Sequence, residues 1–407
     1  ESCGIAVNDN RKITHHRGLG HVGDVFRDTE LDNLKGQMAI GHVRYSSYGA
    51  NFAANAQPIV IKYKNGTLAI THNGSIVNAD LLRSQLEDQG LFFSTTTDTE
   101  VIAALIARNY KGDIVEAIKE TMNIIKGSYA LTILTDNKLI GVRDKHGFRP
   151  LALGKLDNGY ALASETCALD TLGAQFLRDV KPGEIIVVDK KELECFEAED
   201  VVPRKVCLFE YIYFARPDSI IDGISIYKAR ENAGRILAAE HPADADTVIS
   251  VPDSGTPASI GYASESGIPY SIGLIKNRYV GRTFIQPTQS MRELGVKLKL
   301  NPLKDNIDGK SVVMVDDSIV RGTTSRKIVQ ALRDAGAREV HMRVSSPPVV
   351  CPCRYGIDTP TTEELIGAKK TIEDIRKYIG ADSLSFLSLD GLLAAVGSKG
   401  EGFCTAC

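Results

Sequence analysis

The sequence predicts two domains of different class, an α+β domain followed by an α/β domain. Three observations carry that prediction. The chain has 407 residues, and at ~150 residues per domain that length means two or three domains. Residues 1–200 carry runs of short strands with segregated helices, the pattern of an α+β layer structure. From Lys228 onward helices alternate with short, nearly continuous apolar runs, the mark of a buried parallel sheet. Residues 201–227 read as the connection, 228–380 as the second domain and 381–407 as a carboxyl-terminal segment.

Each element has a local reason. Met38–Tyr45 reads as a strand. Ile59–Tyr63 and Leu68–Thr71 flank Lys64-Asn65-Gly66-Thr67, and Asn-Gly is a strong hairpin signal. Asn78–Gln89 is a helix, with Asn78 or Asp80 as cap and Gly90 as its stop. Asp98–Asn109 and Asp113–Ile125 place apolar residues at helical spacing. Ser128–Thr135 and Lys138–Val142 form a second hairpin around Asp136-Asn137. In the second half Ala229–Glu240 is a helix and Asp246–Val251 a buried strand. Lys310–Val315, Thr324–Ala335 and Arg338–Val344 make a β-loop-α-β unit. A doubly wound domain binds ligands at the carboxyl ends of its strands.

Composition removes several function classes. With 43% hydrophobic and 24% charged residues the chain is not disordered. Lysine plus arginine total 48 against 51 aspartate plus glutamate, a net charge of −3. That balance gives no drive toward nucleic acid or an anionic membrane. No apolar run approaches the ~18 residues of a membrane span. Glu1-Ser2-Cys3-Gly4 has neither secretory-signal character nor an initiator methionine, which points to a processed or truncated chain. Eight cysteines are too few and too scattered for a disulfide scaffold of this size. A reducing cytoplasm, with some cysteines on metal, is the expectation.

The sharpest motif is Val312-Val313-Met314-Val315-Asp316-Asp317-Ser318-Ile319-Val320-Arg321-Gly322-Thr323-Thr324. Four apolar residues end in two carboxylates, and a short loop then opens a helix. Loop and helix-start amides bind phosphate, and Gly322 lets the backbone approach closely. Ser318, Thr323 and Thr324 add hydroxyl donors. Asp316 and Asp317 repel phosphate but suit sugar hydroxyls or a magnesium ion. A phosphorylated sugar is the natural ligand. The motif resembles the 5-phosphoribosyl-1-pyrophosphate (PRPP) signature of type I phosphoribosyltransferases. The resemblance implies that Asp316 and Asp317 contact ribose hydroxyls and magnesium, and that the Ser318–Thr324 loop, Arg321 included, holds the 5-phosphate. Val251-Pro252-Asp253-Ser254-Gly255-Thr256-Pro257 is similar to the family's pyrophosphate loop, which implies that Asp253, Ser254 and Gly255 bind PRPP and that Ser254 also meets magnesium. Lys276-Asn277-Arg278-Tyr279-Val280-Gly281-Arg282-Thr283-Phe284-Ile285 resembles the family's mobile loop, whose closure excludes water from a reactive centre.

In the first half, Thr71-His72-Asn73-Gly74-Ser75-Ile76-Val77-Asn78 follows a strand, and amide hydrogens of Asn73 and Gly74 can converge on an oxyanion. Gly41-His42-Val43-Arg44-Tyr45 supplies an arginine able to grip a carboxylate bidentately. Thr97-Asp98-Thr99-Glu100 supplies an acid for an α-ammonium group. In order and wording these segments resemble class II glutamine amidotransferases, which hydrolyse glutamine with an N-terminal cysteine. The resemblance implies an Ntn-type αββα glutaminase domain. It also implies an oxyanion hole of Asn73 and Gly74, and glutamine held by Arg44 and Asp98. The chain departs from that family in having no terminal cysteine. Glu1-Ser2-Cys3-Gly4-Ile5-Ala6 resembles the segment after the family's His-Arg-Gly turn, which implies that the nucleophile lies upstream. Cys3 reads as a small buried residue.

Phe403-Cys404-Thr405-Ala406-Cys407 is a Cys-x-x-Cys, and Cys207 and Cys353 lie in separate segments. Four such thiolates can hold a [4Fe–4S] cluster or one zinc ion, and spacing does not choose between them. Cys351, beside Cys353, is an additional candidate, while Cys167 and Cys195 read as core or surface residues. The set is similar to the iron–sulfur branch of the glutamine PRPP amidotransferase family, over essentially the whole chain. That resemblance implies a structural [4Fe–4S] cluster on Cys207, Cys353, Cys404 and Cys407. It implies conversion of PRPP, glutamine and water to 5-phosphoribosylamine, glutamate and pyrophosphate in purine synthesis. It further implies magnesium, feedback by purine nucleotides and a homotetramer, with no nucleic-acid or membrane partner. It implies a further carboxyl-terminal segment as well. An ammonia-dependent phosphoribosyltransferase with an inactive glutaminase domain, and a PRPP-binding regulator without turnover, stay open on sequence alone.

Overall fold

The computed structural model describes residues 1–9, 12–45, 52–189, 192–198, 200, 202–277, 300–359, 361–398 and 401–407. They divide into two compact units. The first is Glu1–Cys207 with Cys353–Asp358 and Gly402–Cys404, and the second is Leu208–Pro352 with Thr359–Glu401 and Thr405–Cys407.

At the centre of the first unit is a six-stranded antiparallel sheet. Its order is Glu192–Glu197, Glu184–Asp189, Leu139–Arg143, Gly127–Leu134, Gly66–Ile76, Ile59–Tyr63. Successive side chains on a strand face opposite ways, so the strands divide their apolar residues between two cores. Ile70, Leu131, Ile133, Ile140, Val142, Ile185 and Val187 meet the helices Ala79–Glu87, Asp98–Asn109 and Ile114–Ile124. On the other face, Ala69 and Leu134 pack with Ala6 and Ile40 of a three-stranded sheet. Ala130, Ile186 and Val188 pack there against Leu153 of a second small sheet and Leu151 just before it. The outer side of that second sheet buries Ala152 and Ala161 against Leu169 of helix Thr166–Thr171. The layers are therefore helix, sheet, sheet, helix, as expected.

Two local differences from the sequence reading matter. Tyr63 pairs with Gly66, so the hairpin turn is Lys64–Asn65, one residue before the Asn-Gly centre. The following strand does not stop at Thr71 but runs to Ile76, because Gly127–Leu134 supplies a partner from Ala69 to Ile76. Asn73 and Gly74 therefore lie within a strand, opposite Ala130 and Tyr129, rather than in the loop after one.

The second unit holds a parallel sheet of Thr247–Ser250, Ser311–Asp316, Glu339–Val344 and Ser383–Phe386. Tyr270 bridges Val248 in parallel on the other side. Numbered along the chain, the order is 2-1-3-4-5, which reverses between Thr247–Ser250 and Ser311–Asp316. Helices Thr323–Asp334 and Ile372–Ile379 cover the sheet through Ile328, Val329, Leu332, Ile375 and Ile379. Residues 208–227, read above as a connection, fold with this unit. Arg230 of helix Ile226–Glu240 is buried and donates to the carbonyls of Glu210, Tyr211 and Ala215.

Candidate functional site

Topology alone locates the site of the second unit. In an open parallel sheet, ligands bind outside the carboxyl ends of strands where the order reverses. The two strands flanking that point, Thr247–Ser250 and Ser311–Asp316, lead into the loops carrying Ser254 and Asp317. Ser254 Oγ donates to Asp317 Oδ1 at 2.5 Å, and Ser318 Oγ donates to Asp317 Oδ2 at 2.7 Å. The Asp317 N–H donates to Asp316 Oδ1 at 3.0 Å. Gly255 makes the close approach possible: a Cβ there would stand 2.7 Å from the Val315 carbonyl oxygen and 3.3 Å from Asp316 Cα. Gly322, with φ of 73°, turns the chain into helix Thr323–Asp334.

Both aspartates are buried. Burial, and then the charge of Asp317, push the Asp316 carboxyl well above the usual carboxylate range. A buried acidic pair of this kind is complemented by sugar hydroxyls or by a divalent cation. The structure thus brings together Ser254, Gly255, Asp316, Asp317 and Ser318. Asp253 is instead paired with Lys276 at 2.5 Å, and Arg321 with Glu364 at 3.1 Å. Thr323 and Thr324 form the exposed first turn of the helix. Of the segment read as a mobile loop, Arg278–Ile285 lies outside the described residues.

In the first unit the proposed glutamine residues gather at one end of strands Met38–Arg44 and Gly66–Ile76. Asp98 opens helix Asp98–Asn109, and its Oδ2 accepts the Ile76 N–H at 3.0 Å. Its Oδ1 lies 3.4 Å from His72 Nδ1. Burial alone raises the Asp98 carboxyl, but His72 and backbone donors bring it below the usual range. Arg44 is buried; desolvation draws its guanidinium down while the charge of Asp98 pulls it back. His42 is pushed down to about 4, first by burial and then by His72 and Arg44. It is therefore neutral near pH 7. An arginine and an ionised carboxylate in one buried cluster suit the two charged ends of an α-amino acid.

The sequence reading missed the residues that hold this cluster. Gln57 clamps His72 from both sides, accepting its N–H at 2.6 Å and donating to its carbonyl at 3.3 Å. Arg149 Nη2 donates to Asn73 Oδ1 at 3.1 Å. The signal for Arg149 was Arg143-Asp144-Lys145-His146-Gly147-Phe148-Arg149-Pro150, a charged run between two apolar segments. Gln57 gave no sequence signal.

Cys207 and Cys404 are register partners in a short parallel pair, Val206–Cys207 with Phe403–Cys404. Cys353 Sγ accepts the Tyr355 N–H at 3.2 Å. Cys207, Cys353, Cys404 and Cys407 are all half-buried, whereas Cys351 and Cys195 are exposed and Cys3 and Cys167 buried. Cys207, Cys353 and Cys404 share the first unit. Among the described residues no group of three or more His, Cys, Asp or Glu is arranged to hold a metal ion. Among them, too, no helix is long and apolar enough to cross a membrane.

Residues 42–171 match the glutamine amidotransferase domain family, and residues 222–346 the phosphoribosyl transferase domain family. The amidophosphoribosyltransferase of Archaeoglobus fulgidus is 54% identical over 411 residues, covering 100% of this chain and 90% of that protein. The chain belongs to the amidophosphoribosyltransferase family. Two solved family structures carry the same fold. One is the glutamine PRPP amidotransferase of B. subtilis, complexed with ADP and GMP. It has 50% identity and a TM-score of 0.94, covering 100% of this chain and 90% of that one. The other, described as the allosteric regulatory enzyme of purine biosynthesis, has 50% identity and a TM-score of 0.95. It covers 100% of this chain and 89% of its own.

Proposed function

We propose that this chain carries out the glutamine-dependent amidation of PRPP that opens purine synthesis, giving 5-phosphoribosylamine, glutamate and pyrophosphate. One observation carries the reading: a buried Asp316–Asp317 pair, tied to Ser254, at the point where the sheet order reverses. In this reading the pair accepts hydrogen bonds from the ribose hydroxyls, and the amides after Gly322 take the 5-phosphate. The loop of Asp253, Ser254 and Gly255 meets the pyrophosphate. Ammonia then attacks C1 as pyrophosphate departs, with positioning and charge stabilisation lowering the barrier. Magnesium, when bound by Ser254, Asp316 and Asp317, offsets the charge of the departing pyrophosphate. In the first unit, Arg44 and Asp98 hold the carboxylate and amine of glutamine. Asn73 and Gly74 donate to the oxyanion formed at its side-chain amide.

Cys207, Cys353, Cys404 and Cys407 are assigned in the same reading to a [4Fe–4S] cluster with a structural role, supported by the in-register pair and the shared half-burial. Purine nucleotides act as feedback ligands of a cytoplasmic homotetramer.

The test is pyrophosphate release from PRPP by the full-length protein, with glutamine or with ammonium. Release with both is expected, and Asp316→Asn with Asp317→Asn should abolish it. Release with ammonium alone makes the glutaminase site inactive, and release with neither makes the protein a PRPP-binding regulator. Unchanged turnover in the double variant would overturn the site assignment.

A further inference from the structure

Arg149 is 1% exposed, yet it lies in no helix or strand and is not among the residues read as contacting either substrate. Its Nη2 donates to Asn73 Oδ1. A guanidinium carries donors only, so the oxygen is the one atom of the Asn73 amide it can bind. With the oxygen held there, Nδ2 faces the other way. The flipped amide would set N–H against N–H in a partly buried site and forfeit the bond to Arg149.

The turn that carries Arg149 is itself held from both sides. Asp144 is fully buried, and its Oδ1 accepts the N–H groups of His146 at 3.0 Å and Phe148 at 3.1 Å. Its Oδ2 accepts those of Tyr129 at 3.3 Å and Arg149 at 3.4 Å. Arg143 donates to the carbonyls of Arg149 at 2.9 Å, Gly147 at 3.1 Å and Val180 at 2.7 Å. Tyr129 is the strand partner of Gly74. One carboxylate thus ties the Arg149 turn to the residue opposite the second oxyanion donor. Buried polar networks cost desolvation and are worthwhile where they fix a unique geometry.

We propose that Arg149 is a positioning residue for glutamine hydrolysis, orienting the Asn73 amide so that Nδ2 donates to the oxyanion. The inference rests on the reading of Asn73 and Gly74 as the oxyanion hole. Losing one such donor lowers kcat about 10²–10³-fold. The experiment is a double-mutant cycle in the full-length protein, with glutamate release as readout and ammonium-dependent pyrophosphate release as the folding control. Asn73→Ala should lose about 10²–10³-fold in kcat, and Arg149→Met about 10–100-fold with KM for glutamine nearly unchanged. In the Asn73→Ala background Arg149→Met should cost less than about two-fold more.

Multiplicative losses, or an Arg149→Met enzyme with full kcat, would overturn the inference and leave the oxyanion reading standing. An Asn73→Ala enzyme with full kcat would remove both. Where Arg149→Met does not fold, Asn73→Asp serves instead. It sets a carboxylate against the guanidinium but offers no donor to the oxyanion. It should melt no lower than Asn73→Ala and lose as much kcat. Melting below Asn73→Ala would show that Arg149 does not face that side chain.

Discussion

Replacing Gly74 by alanine tests the glutaminase reading with a single methyl group. The backbone there has φ of 149°, a region L residues rarely enter. A Cβ would stand 2.2 Å from the carbonyl oxygen of Ser128, 2.7 Å from its carbon and 2.9 Å from His72 Nε2. Ordinary contacts need more than 3 Å, so the paired strands must part by roughly 1 Å. The two nearest obstructing atoms cannot rotate away, because they belong to the Ser128 backbone. Ser128 is anchored besides, donating to the Tyr355 carbonyl at 2.7 Å and accepting the Ser75 N–H at 3.2 Å. A donor misplaced by ~1 Å costs on the order of 10²-fold or more, and a lost one about 2.7–4 kcal/mol. The expected result is a kcat for glutamate release lowered about 10²–10³-fold, with ammonium-dependent turnover kept, since the loops proposed to bind PRPP belong to the other unit. The assay compares glutamate and pyrophosphate release on one preparation. Glutamine turnover within a few-fold of wild type would refute the argument.

Other consequences can be checked alongside. Ser254→Ala removes the 2.5 Å bond to Asp317 and exposes a buried carboxylate to no donor on that side, so PRPP turnover should fall about ten-fold with either nitrogen source. Glu100 accepts the N–H and hydroxyl of both Ser94 and Thr95. Burial alone would raise its carboxyl, yet these donors bring it below the usual range. A depressed folded-state pKa stabilises above the unfolded value of ~4.3 and is lost as pH falls through the folded one. Glu100→Gln should therefore destabilise by about 1–3 kcal/mol near pH 7, and the difference from wild type should shrink in acid unfolding below about pH 4. Cys353→Ser should lose bound iron and sulfide while Cys351→Ser, at an exposed position, keeps them; equal loss would redraw the ligand set.

What was legible in the sequence was local. Helix Asp98–Asn109 runs between the same two residues in sequence and structure, because its apolar spacing and acidic first turn are contiguous signals. The strand read as Lys310–Val315 and the helix read as Thr324–Ala335 fall at Ser311–Asp316 and Thr323–Asp334, each within one residue, for the same reason. The strand through Asn73 was cut short because His72-Asn73-Gly74-Ser75 breaks the apolar alternation. Its partner, Gly127–Leu134, lies far along the chain. The bonds that finish each site are equally distant: Ser254 and Asp317 are 63 residues apart, Arg149 and Asn73 76. No window of the sequence contains both ends of such a bond.

The two sites are also built by different means, and that explains why one was easier to read than the other. In the second unit the topology does most of the work: any chain wound in this order has a crevice where the order reverses, and a motif at the right strand end falls into it. In the first unit the backbone proposed to face glutamine belongs to an ordinary antiparallel strand, which by itself has no reason to offer donors to an oxyanion. Its geometry is imposed by side chains that bind backbone or one another: Gln57 on His72, Asp98 on Ile76, Asp144 on the turn before Arg149. Each of these is buried, and each would cost stability if its partner were lost. A buried amide, two carboxylates and two arginines are a poor way to stabilise a sheet, which apolar residues would serve better. They are an effective way to hold a few N–H groups where charge develops during a reaction. Their concentration around Asn73 and Gly74 is what the proposed oxyanion site requires, position rather than stability.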